Sequence, residues 1–238
     1  MGFDYDRYGA FKSASTRQQA SLFERVARTL GFKNRYLRFL RAVPRDRLLL
    51  EIGCGNGQFL REVMEAGFQH VLGLEPSDSY VNVVDQELIL KTYAHDYLKS
   101  CPNGSLGAVI ALDVFEHLPV PELRQLIGSI HDSLSPNGFL IFRVPNMASP
   151  LALHNYYGDL SHTTPLNEVS IRQLVFDTGF SIIAIDPEPL AYPRSPMALL
   201  RLLGWYVYKW LVASALRAFG INGRVLTPNL VCTLQKSA

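Results

Sequence analysis

The sequence predicts an α/β protein with a doubly wound, mostly parallel, Rossmann-like sheet. Short apolar runs alternate with helical stretches from Arg47 to Asp186, which is typical of βαβ units joined by right-handed crossovers. A glycine-rich segment, residues 53–57, directly follows the first of these runs. The 238 residues are 48 % apolar, which is enough for one large core and excludes a disordered chain.

Seven strands are predicted, because seven short apolar runs are bounded by glycine, proline or polar turn residues. They are Arg47–Ile52, His70–Glu75, Ile89–Tyr93, Gly107–Leu112, Phe139–Val144, Ser181–Asp186 and Asn229–Gln235. The turn 135–138 is expected to precede the fifth strand.

The helices are predicted from apolar residues three and four positions apart. Pro121–Leu134 is the clearest, because a proline suits its first position and its apolar residues form one face. The others are a helix that Asn167 caps and Gly179 stops, basic helices within 18–43, Gln58–Ala66 and Ser79–Glu87.

The net charge of +2 averages two opposed regions. Residues 1–47 hold 11 Lys and Arg against 4 Asp and Glu, whereas the rest of the chain holds 12 against 17. The sequence therefore predicts a basic helical cover over residues 1–46 and an α/β domain over 47–238. The acidic balance of that domain argues against binding of nucleic acid, and a basic cover suits a ligand that carries phosphate or carboxylate.

The three cysteines, Cys54, Cys101 and Cys232, are scattered and form no CxxC pair. This pattern argues against a disulfide scaffold and a cysteine zinc site, and it fits a reducing compartment. The first residues lack the apolar stretch of a signal peptide. The sequence thus predicts a cytoplasmic protein.

Carboxylates and glycines recur where the predicted strands end. The first strand runs into Glu51-Ile52-Gly53-Cys54-Gly55-Asn56-Gly57, the second ends at Glu75, the third leads to Asp96-Tyr97 and the fourth to Asp113. Open α/β sheets bind ligands at the carboxyl ends of their strands, and glycines let the backbone approach a ligand closely.

At these residues the chain resembles the class I S-adenosylmethionine-dependent methyltransferases, whose first motif the segment E-x-G-C-G-x-G matches. The resemblance covers roughly residues 47–186 and implies a sheet in the order 3-2-1-4-5-7-6 with strand 7 antiparallel. It also implies S-adenosylmethionine as cofactor. The implied cofactor-binding residues are Glu51, Gly53, Cys54, Gly55 and Gly57 at the amino-acid end, Glu75 at the ribose, Asp96 with the Tyr97 backbone at the adenine, and Asp113. Gly107 departs from these families, which often have Asp at the start of the fourth strand.

The methyl acceptor is expected to meet Glu116, His117 and His162, because a hydroxyl acceptor must lose a proton as it attacks. In one hypothesis His117 or His162 is a general base. In another, a magnesium or manganese ion bound by Asp113 and those three residues lowers the pKa of the hydroxyl. The D-x-x-E-H pattern with a later His is similar to the E-x-x-E-H of small-RNA 2′-O-methyltransferases and ubiquinone-pathway O-methyltransferases, where that cluster holds a metal. A third hypothesis gives these side chains only structural hydrogen bonds.

Two segments are longer than a plain methyltransferase domain needs. Residues 145–166 are expected to form an acceptor loop, with His154, Tyr156, Tyr157 and Asp159 contacting the substrate. Residues 187–225 are an apolar helical insertion. Three roles stay open for it: a lid, a homodimer contact, and a peripheral membrane contact through 197–221 at the inner face of the membrane.

The loop composition and the insertion resemble bacterial O-methyltransferases that act on sugars in polysaccharide, lipid-linked glycan or natural-product pathways. The sequence therefore predicts an O-methyltransferase for a small hydroxylated acceptor, with a saccharide or glycoconjugate favoured. One alternative is a quinone, phenolic or lipid acceptor. An alternative of another class is a cofactor-binding assembly protein without turnover.

Overall fold

The computed structural model describes residues 40–78, 86–188, 196–221 and 225–238. The basic cover predicted over 1–46 and its helices within 18–43 therefore lie almost wholly outside the described residues. The same holds for the helix predicted over 79–87, of which the described end, Gln86–Leu88, is a 3₁₀ turn.

One seven-stranded sheet forms the centre of the described chain, in the order β3-β2-β1-β4-β5-β7-β6. Its strands are β1 Leu48–Ile52, β2 Val71–Leu74, β3 Ile89–Leu90, β4 Leu106–Leu112, β5 Leu134–Pro145, β6 Phe180–Pro187 and β7 Asn229–Lys236. The pairs among β1 to β5 are parallel, and β7 is antiparallel to both β5 and β6. The predicted fold class and strand order are confirmed.

Six α-helices accompany these strands in the described ranges. They are α1 Gln58–Glu65, α2 Ala94–Ser100, α3 Val120–Ser133, α4 Ala152–Tyr157, α5 Glu168–Val175 and α6 Pro196–Ala218. The sequence did not predict α2 and α4, because helices of seven and six residues show too few turns for a periodic pattern. The predicted cap of α5 is present as a capping box between Asn167 and Ser170.

The start of β5 corrects a prediction. The turn 135–138 was expected to precede the strand, but β5 begins at Leu134 and includes it. Leu106 of β4 pairs with Leu134, and Ala108 pairs with Phe139. Residues 135–138 therefore form a bulge within β5, which pairs with β4 both before and after them.

The two faces of the sheet each bury their own core, because successive strand residues point to opposite sides. Val109 and Ala111 of β4 lie in the larger cluster, to which α3 and α5 contribute. Ala108 and Ile110 lie in the second cluster, to which α1 contributes. All four residues are fully buried, so β4 is covered on both faces, and its carboxyl end is held rigidly.

Asn146 fixes the chain that leaves β5 to the chain that enters β7. Its side-chain amide donates to the carbonyls of Val225 and Thr227, at 2.8 and 3.0 Å, and its backbone amide donates to Pro228. The residue is 1 % exposed. No local pattern in the sequence indicates this role, because the two carbonyls lie about 80 positions away along the chain.

We expect Asn146→Ala to lower the free energy of unfolding by about 1–3 kcal/mol, because two buried carbonyls lose their donor. Urea denaturation followed by circular dichroism measures this. Asn103→Ala, at an exposed turn residue, is the control and should change stability by less than about 0.5 kcal/mol. Equal effects of the two substitutions would contradict the anchoring role.

Candidate functional site

The glycine loop after β1 turns through left-handed backbone at Gly53, Gly55 and Gly57, with φ of 69°, 53° and 69°. The amides of Gly53 and Cys54 both donate to the carbonyl of Leu74, at 2.8 and 3.1 Å, which ties the loop to the end of β2. Burial raises the pKa of the Cys54 thiol, so this cysteine packs rather than reacts.

Gly53 also brings the loop against the end of β4. A Cβ at Gly53 would lie 2.6 Å from Cγ2 of Val114. Val114 is β-branched and has little freedom to turn aside. Only a residue without a side chain therefore lets the two loops touch, and this contact sets the glycine loop beside the segment that carries Glu116 and His117.

We expect Gly53→Ala to destabilise the protein by about 2–4 kcal/mol, from left-handed backbone strain together with the clash. Gly67→Ala is the matched control, because Gly67 has φ +93° but no atom within 4 Å of its virtual Cβ. This variant should be destabilised by backbone strain alone, by about 1–2 kcal/mol. Thermal unfolding of both variants, and of Gly53→Ala with Val114→Ala, separates the two effects; no rescue in the double variant would contradict the close contact.

Glu75 closes the glycine loop from the end of β2. Its Oε2 accepts the amide N–H of Gly55 at 3.0 Å, and its Oε1 accepts that of Ser77 at 2.9 Å. Burial raises the pKa of this carboxyl, and the two N–H donors oppose that rise. A carboxylate can accept about four hydrogen bonds, so Glu75 keeps acceptor capacity for the ribose hydroxyls predicted to bind there.

Glu51 is a buried carboxylate inside β1, with 3 % of its surface exposed. Its Oε2 has no hydrogen-bond partner among the described residues. Burial raises the pKa of Glu51 well above its ordinary value, and the nearby carboxylates Glu62 and Glu75 raise it further. Such a group favours a cationic ligand, which is what the amino group of S-adenosylmethionine would supply.

Asp96 and Tyr97, predicted to contact the adenine, lie in the first turn of α2 rather than at the end of a strand. Strand β3 stops at Leu90, three residues earlier than predicted. The amide of Tyr97 donates to the Tyr93 carbonyl at 3.2 Å, so an adenine contact would have to share this donor. The Asp96 carboxylate is half-exposed and pairs with His95 and Lys99.

Asp113 directly follows β4 and has left-handed backbone, with φ 57°. Its carboxylate forms a bidentate ion pair with Arg143, whose Nε lies 2.9 Å from Oδ1. Arg143 also pairs with Glu188, which accepts from Asn229. The structure thus engages Asp113 with an arginine and leaves it out of the group of metal-capable side chains.

That group consists of Glu116, His117 and His162, which we call the His–Glu cluster. One ligand atom from each lies within 4.8 Å of the others. Nε2 of His162 is 3.9 Å from Oε1 of Glu116, and the two imidazole centroids are 4.7 Å apart. Glu116 and His117 lie in the 3₁₀ turn after β4. His162 comes from the predicted acceptor loop, which the amides of Thr163 and Thr164 hold against the Glu116 carbonyl.

Hydrogen bonds fix which nitrogen of each imidazole carries the proton. The Ser161 hydroxyl donates to Oδ1 of Asp159 at 2.6 Å, and its oxygen lies 2.8 Å from Nδ1 of His117. Since that hydroxyl proton is already used, Nδ1 of His117 is the donor to Ser161. Nδ1 of His162 faces the Tyr156 carbonyl at 2.8 Å and also donates. In each neutral ring the lone pair therefore lies on Nε2, and this nitrogen can accept a proton or bind a metal.

The His–Glu cluster lines a cleft of about 350 Å³. Six of the predicted site residues border this cleft: Asp113, Glu116, His117, His154, Asp159 and His162. Pro145, Asn155 and Gly158 also line the cleft, and they lie in the predicted acceptor loop 145–166 without having been named as substrate residues. Asn229, at the start of β7, was not predicted.

The two predicted tyrosines do not line the cleft. Tyr156 is buried behind His162, with ring centroids 5.1 Å apart, and burial raises the pKa of its hydroxyl. Tyr157 is 72 % exposed. Ser161 was also missed, although its place beside His162 and close to Asp159 in the sequence was a usable signal.

Three arrangements in this site suit a nucleoside-sulfonium cofactor and a hydroxyl acceptor. The buried Glu51 carboxylate can meet a cation, Glu75 can meet vicinal hydroxyls, and the His–Glu cluster can take up a proton or a divalent cation. The mixed nitrogen and oxygen donors of the cluster fit manganese or zinc better than magnesium, which prefers oxygen.

Comparison with known proteins indicates a methyltransferase and leaves the acceptor open. The methyltransferase domain family matches residues 19–185. An uncharacterised methyltransferase of Oceanobacillus iheyensis is 25 % identical over 147 residues, which is 61 % of this chain and 62 % of that protein. The matches span between about a third and three fifths of the first curated relatives.

Solved structures share the fold. A methyltransferase dependent on S-adenosylmethionine from Archaeoglobus fulgidus aligns over 90 % of this chain and 98 % of its own, with a TM-score of 0.66 at 23 % identity. Magnesium protoporphyrin IX methyltransferase from Synechocystis, with S-adenosylmethionine bound, aligns over 99 % of both chains, with a TM-score of 0.61 at 15 % identity.

Proposed function

Because the chain belongs to the methyltransferase domain family, we propose that it binds S-adenosylmethionine at the glycine loop and transfers the methyl group to a hydroxyl beside the His–Glu cluster. The observation that carries this proposal is the convergence of Glu116, His117 and His162 in a cleft at the carboxyl end of β4. The close approach of Gly53 to Val114 puts the cofactor loop next to that segment.

The cofactor side is supported by two buried carboxylates. Glu51 would pair with the amino group of the methionine part, and Glu75 would accept from the ribose hydroxyls while it holds the Gly55 amide. Apart from Asp113, the proposed cofactor residues remain those of the sequence prediction. Asp113 would act on the acceptor side through Arg143 rather than through a metal.

Methyl transfer itself needs alignment more than covalent help. Bound S-adenosylmethionine would supply a methyl group on a positively charged sulfur, which the acceptor oxygen would take as the carbon–sulfur bond breaks and neutral S-adenosylhomocysteine leaves. The hydroxyl proton passes to Nε2 of His117. Ser161 and Asp159 hold the opposite nitrogen as a donor and stabilise the imidazolium that forms.

A divalent cation on Glu116, His117 and His162 would lower the pKa of the acceptor hydroxyl and stabilise its anion. The three donor atoms, now within 4.8 Å of one another, would have to draw somewhat closer. Both variants of the chemistry use the lone pair on Nε2 of His117, and the metal would also use the lone pair on Nε2 of His162.

The favoured acceptor is a small saccharide or glycoconjugate, and the cleft lining supports this class. Its carboxylates, imidazoles and amides can bond hydroxyls on several sides. A volume of about 350 Å³ is at the small end of ligand pockets. The relatives give no guide here, since they are named for a sterol, a tRNA and a porphyrin.

The experiment is turnover with S-adenosylmethionine on a panel of monosaccharides, nucleotide sugars, oligosaccharides, a catechol and a hydroxyquinone, read by mass spectrometry. Each acceptor is tested with EDTA and with manganese restored. Methylation of a saccharide supports the proposal, and methylation of the phenolic acceptors alone replaces the acceptor class. Cofactor binding without any transfer would leave the assembly protein as the better account. Loss of activity in EDTA with recovery in manganese assigns the cluster to a metal.

The affinity for S-adenosylmethionine is expected to rise with pH, because the pKa of Glu51 is raised and its neutral form prevails at low pH. A cationic amino group binds the carboxylate, so binding releases a proton, and affinity increases by up to about tenfold per pH unit until the pKa of the free protein is passed. Calorimetry from about pH 5 to 7, where the ligand's own amino group stays mostly protonated, measures this. Glu51→Gln should bind weakly and with a smaller slope, because the raised pKa of Glu75 leaves part of the pH dependence in place. An unchanged slope in that variant would contradict the proposed contact.

A further inference from the structure

Helix α6 carries an exposed apolar stripe that the proposed chemistry does not use. Its six side chains are each 54–66 % exposed: Leu200, Leu203, Tyr206, Val207, Trp210 and Leu211. At 100° per residue they fall within an arc of about 140° on one side of the helix. We call these six residues the apolar stripe.

The opposite side of α6 is partly covered. Leu202, Trp205, Tyr208 and Val212 are half-buried, and the rings of Trp205 and Tyr208 lie 5.6 Å apart. One face of the helix is thus partly shielded from solvent, and the apolar stripe lies on the other face. No helix within the described ranges, α6 included, has the length and apolar character to cross a bilayer.

The charges in the sequence around α6 are all of one sign. Residues 189–238 contain six Lys and Arg and no Asp or Glu, whereas residues 48–188 contain 17 Asp and Glu against six Lys and Arg. Lys209 and Arg217 of α6 are exposed. Fifty consecutive residues without an acidic side chain, within an otherwise acidic body, suit an anionic surface.

We propose that the apolar stripe docks on an anionic phospholipid surface, with α6 lying in the plane of the interface. An anionic lipid surface suits both the apolar stripe and the cations. The leucine side chains would pack among acyl chains, while headgroup phosphates pair with Lys209 and Arg217. Tyr206 and Trp210 have amphipathic rings that favour the headgroup level. This surface is independent of methyl transfer and would bring the cleft to acceptors at a membrane.

Both tryptophans of the chain, Trp205 and Trp210, lie in α6, so intrinsic fluorescence reports on this helix without a label. The full-length protein is titrated with vesicles of phosphatidylcholine alone and of phosphatidylcholine with phosphatidylglycerol. We expect acrylamide to quench the free protein, and only the anionic vesicles to shift the emission to the blue and protect it. Flotation of the vesicles measures the bound fraction.

Two variants test the two halves of the surface. Leu203→Gln with Leu211→Gln should weaken vesicle binding at least about tenfold, because two apolar side chains no longer leave water. Lys209→Gln with Arg217→Gln should weaken binding to anionic vesicles by about fivefold per charge and reduce its salt dependence. Val169→Gln with Phe176→Gln, at exposed apolar residues in α5 and directly after it, is the matched control and should bind as the parent does.

Three results would overturn the proposal. Emission that is already blue and resists acrylamide in the free protein would mean that protein covers the stripe. A dimer in sedimentation velocity that Leu203→Gln with Leu211→Gln converts to monomer, without vesicle binding by the parent, would assign the stripe to a second copy. Equal binding to neutral and anionic vesicles would remove the role of the cations. Circular dichroism of each variant confirms that α6 remains folded.

Discussion

A His117→Ala variant should lose about a hundredfold to ten-thousandfold of kcat while it binds S-adenosylmethionine as tightly as the parent. The reason is the position of the lone pair: Nδ1–H of His117 donates to the Ser161 oxygen, so Nε2 is the atom that would receive the acceptor proton. The effect is expected in kcat because the proposal places His117 beside the acceptor and away from the cofactor. Single-turnover kinetics, with calorimetry of the cofactor alongside, measures both quantities.

Two further variants, a control and a test of the tautomer, accompany this prediction. His70→Ala, at an exposed histidine in the turn before β2, is the control and should keep full activity. Ser161→Ala should lower kcat by about tenfold and shift the pH–rate profile, because His117 then loses the partner that sets its tautomer. A His117→Ala variant with undiminished kcat, or one that loses cofactor affinity in proportion, would refute the assignment.

Glu75→Ala should weaken S-adenosylmethionine binding by about tenfold to a hundredfold, equivalent to about 1–3 kcal/mol. The carboxylate has two tasks: it accepts the Gly55 and Ser77 amides, which shapes the glycine loop, and it would accept the ribose hydroxyls. Both tasks end with the substitution, so the loss should appear in the dissociation constant and not in the transfer step.

Glu122→Ala removes an exposed carboxylate from the first turn of α3 and is the matched control for charge. It should leave the dissociation constant unchanged. Adenosine competes with the cofactor through its ribose and should lose affinity for Glu75→Ala as well. Unaltered binding of both ligands would contradict the ribose contact and also the role of Glu75 in shaping the loop for the cofactor.

The order of the sheet could be predicted because local signals and the glycine motif agree. Buried strands such as β4 are continuous apolar runs, and the capping box at Asn167 is a local pattern. The bulge at 135–138 could not be predicted, because its turn residues also suit a simple helix-to-strand turn and only the pairing with β4 distinguishes the two.

Most residues of the candidate site could be predicted, but the hydrogen bonds and ion pairs that these residues form could not. Glu116, His117 and His162 were expected together, and the structure brings them together. Asp113 was expected among them, but Arg143, 30 positions away, binds its carboxylate. Asn146 escaped notice for the same reason, since a hydrogen bond across the sheet leaves no trace in local spacing.

The most direct test of this account is a calorimetric titration of the protein with S-adenosylmethionine. The account predicts saturable binding of one molecule per chain, tighter at pH 7 than at pH 5, and weakened by Glu51→Gln and by Glu75→Ala. Absence of binding in a folded sample would contradict the assignment of the glycine loop and, with it, the proposed methyl transfer.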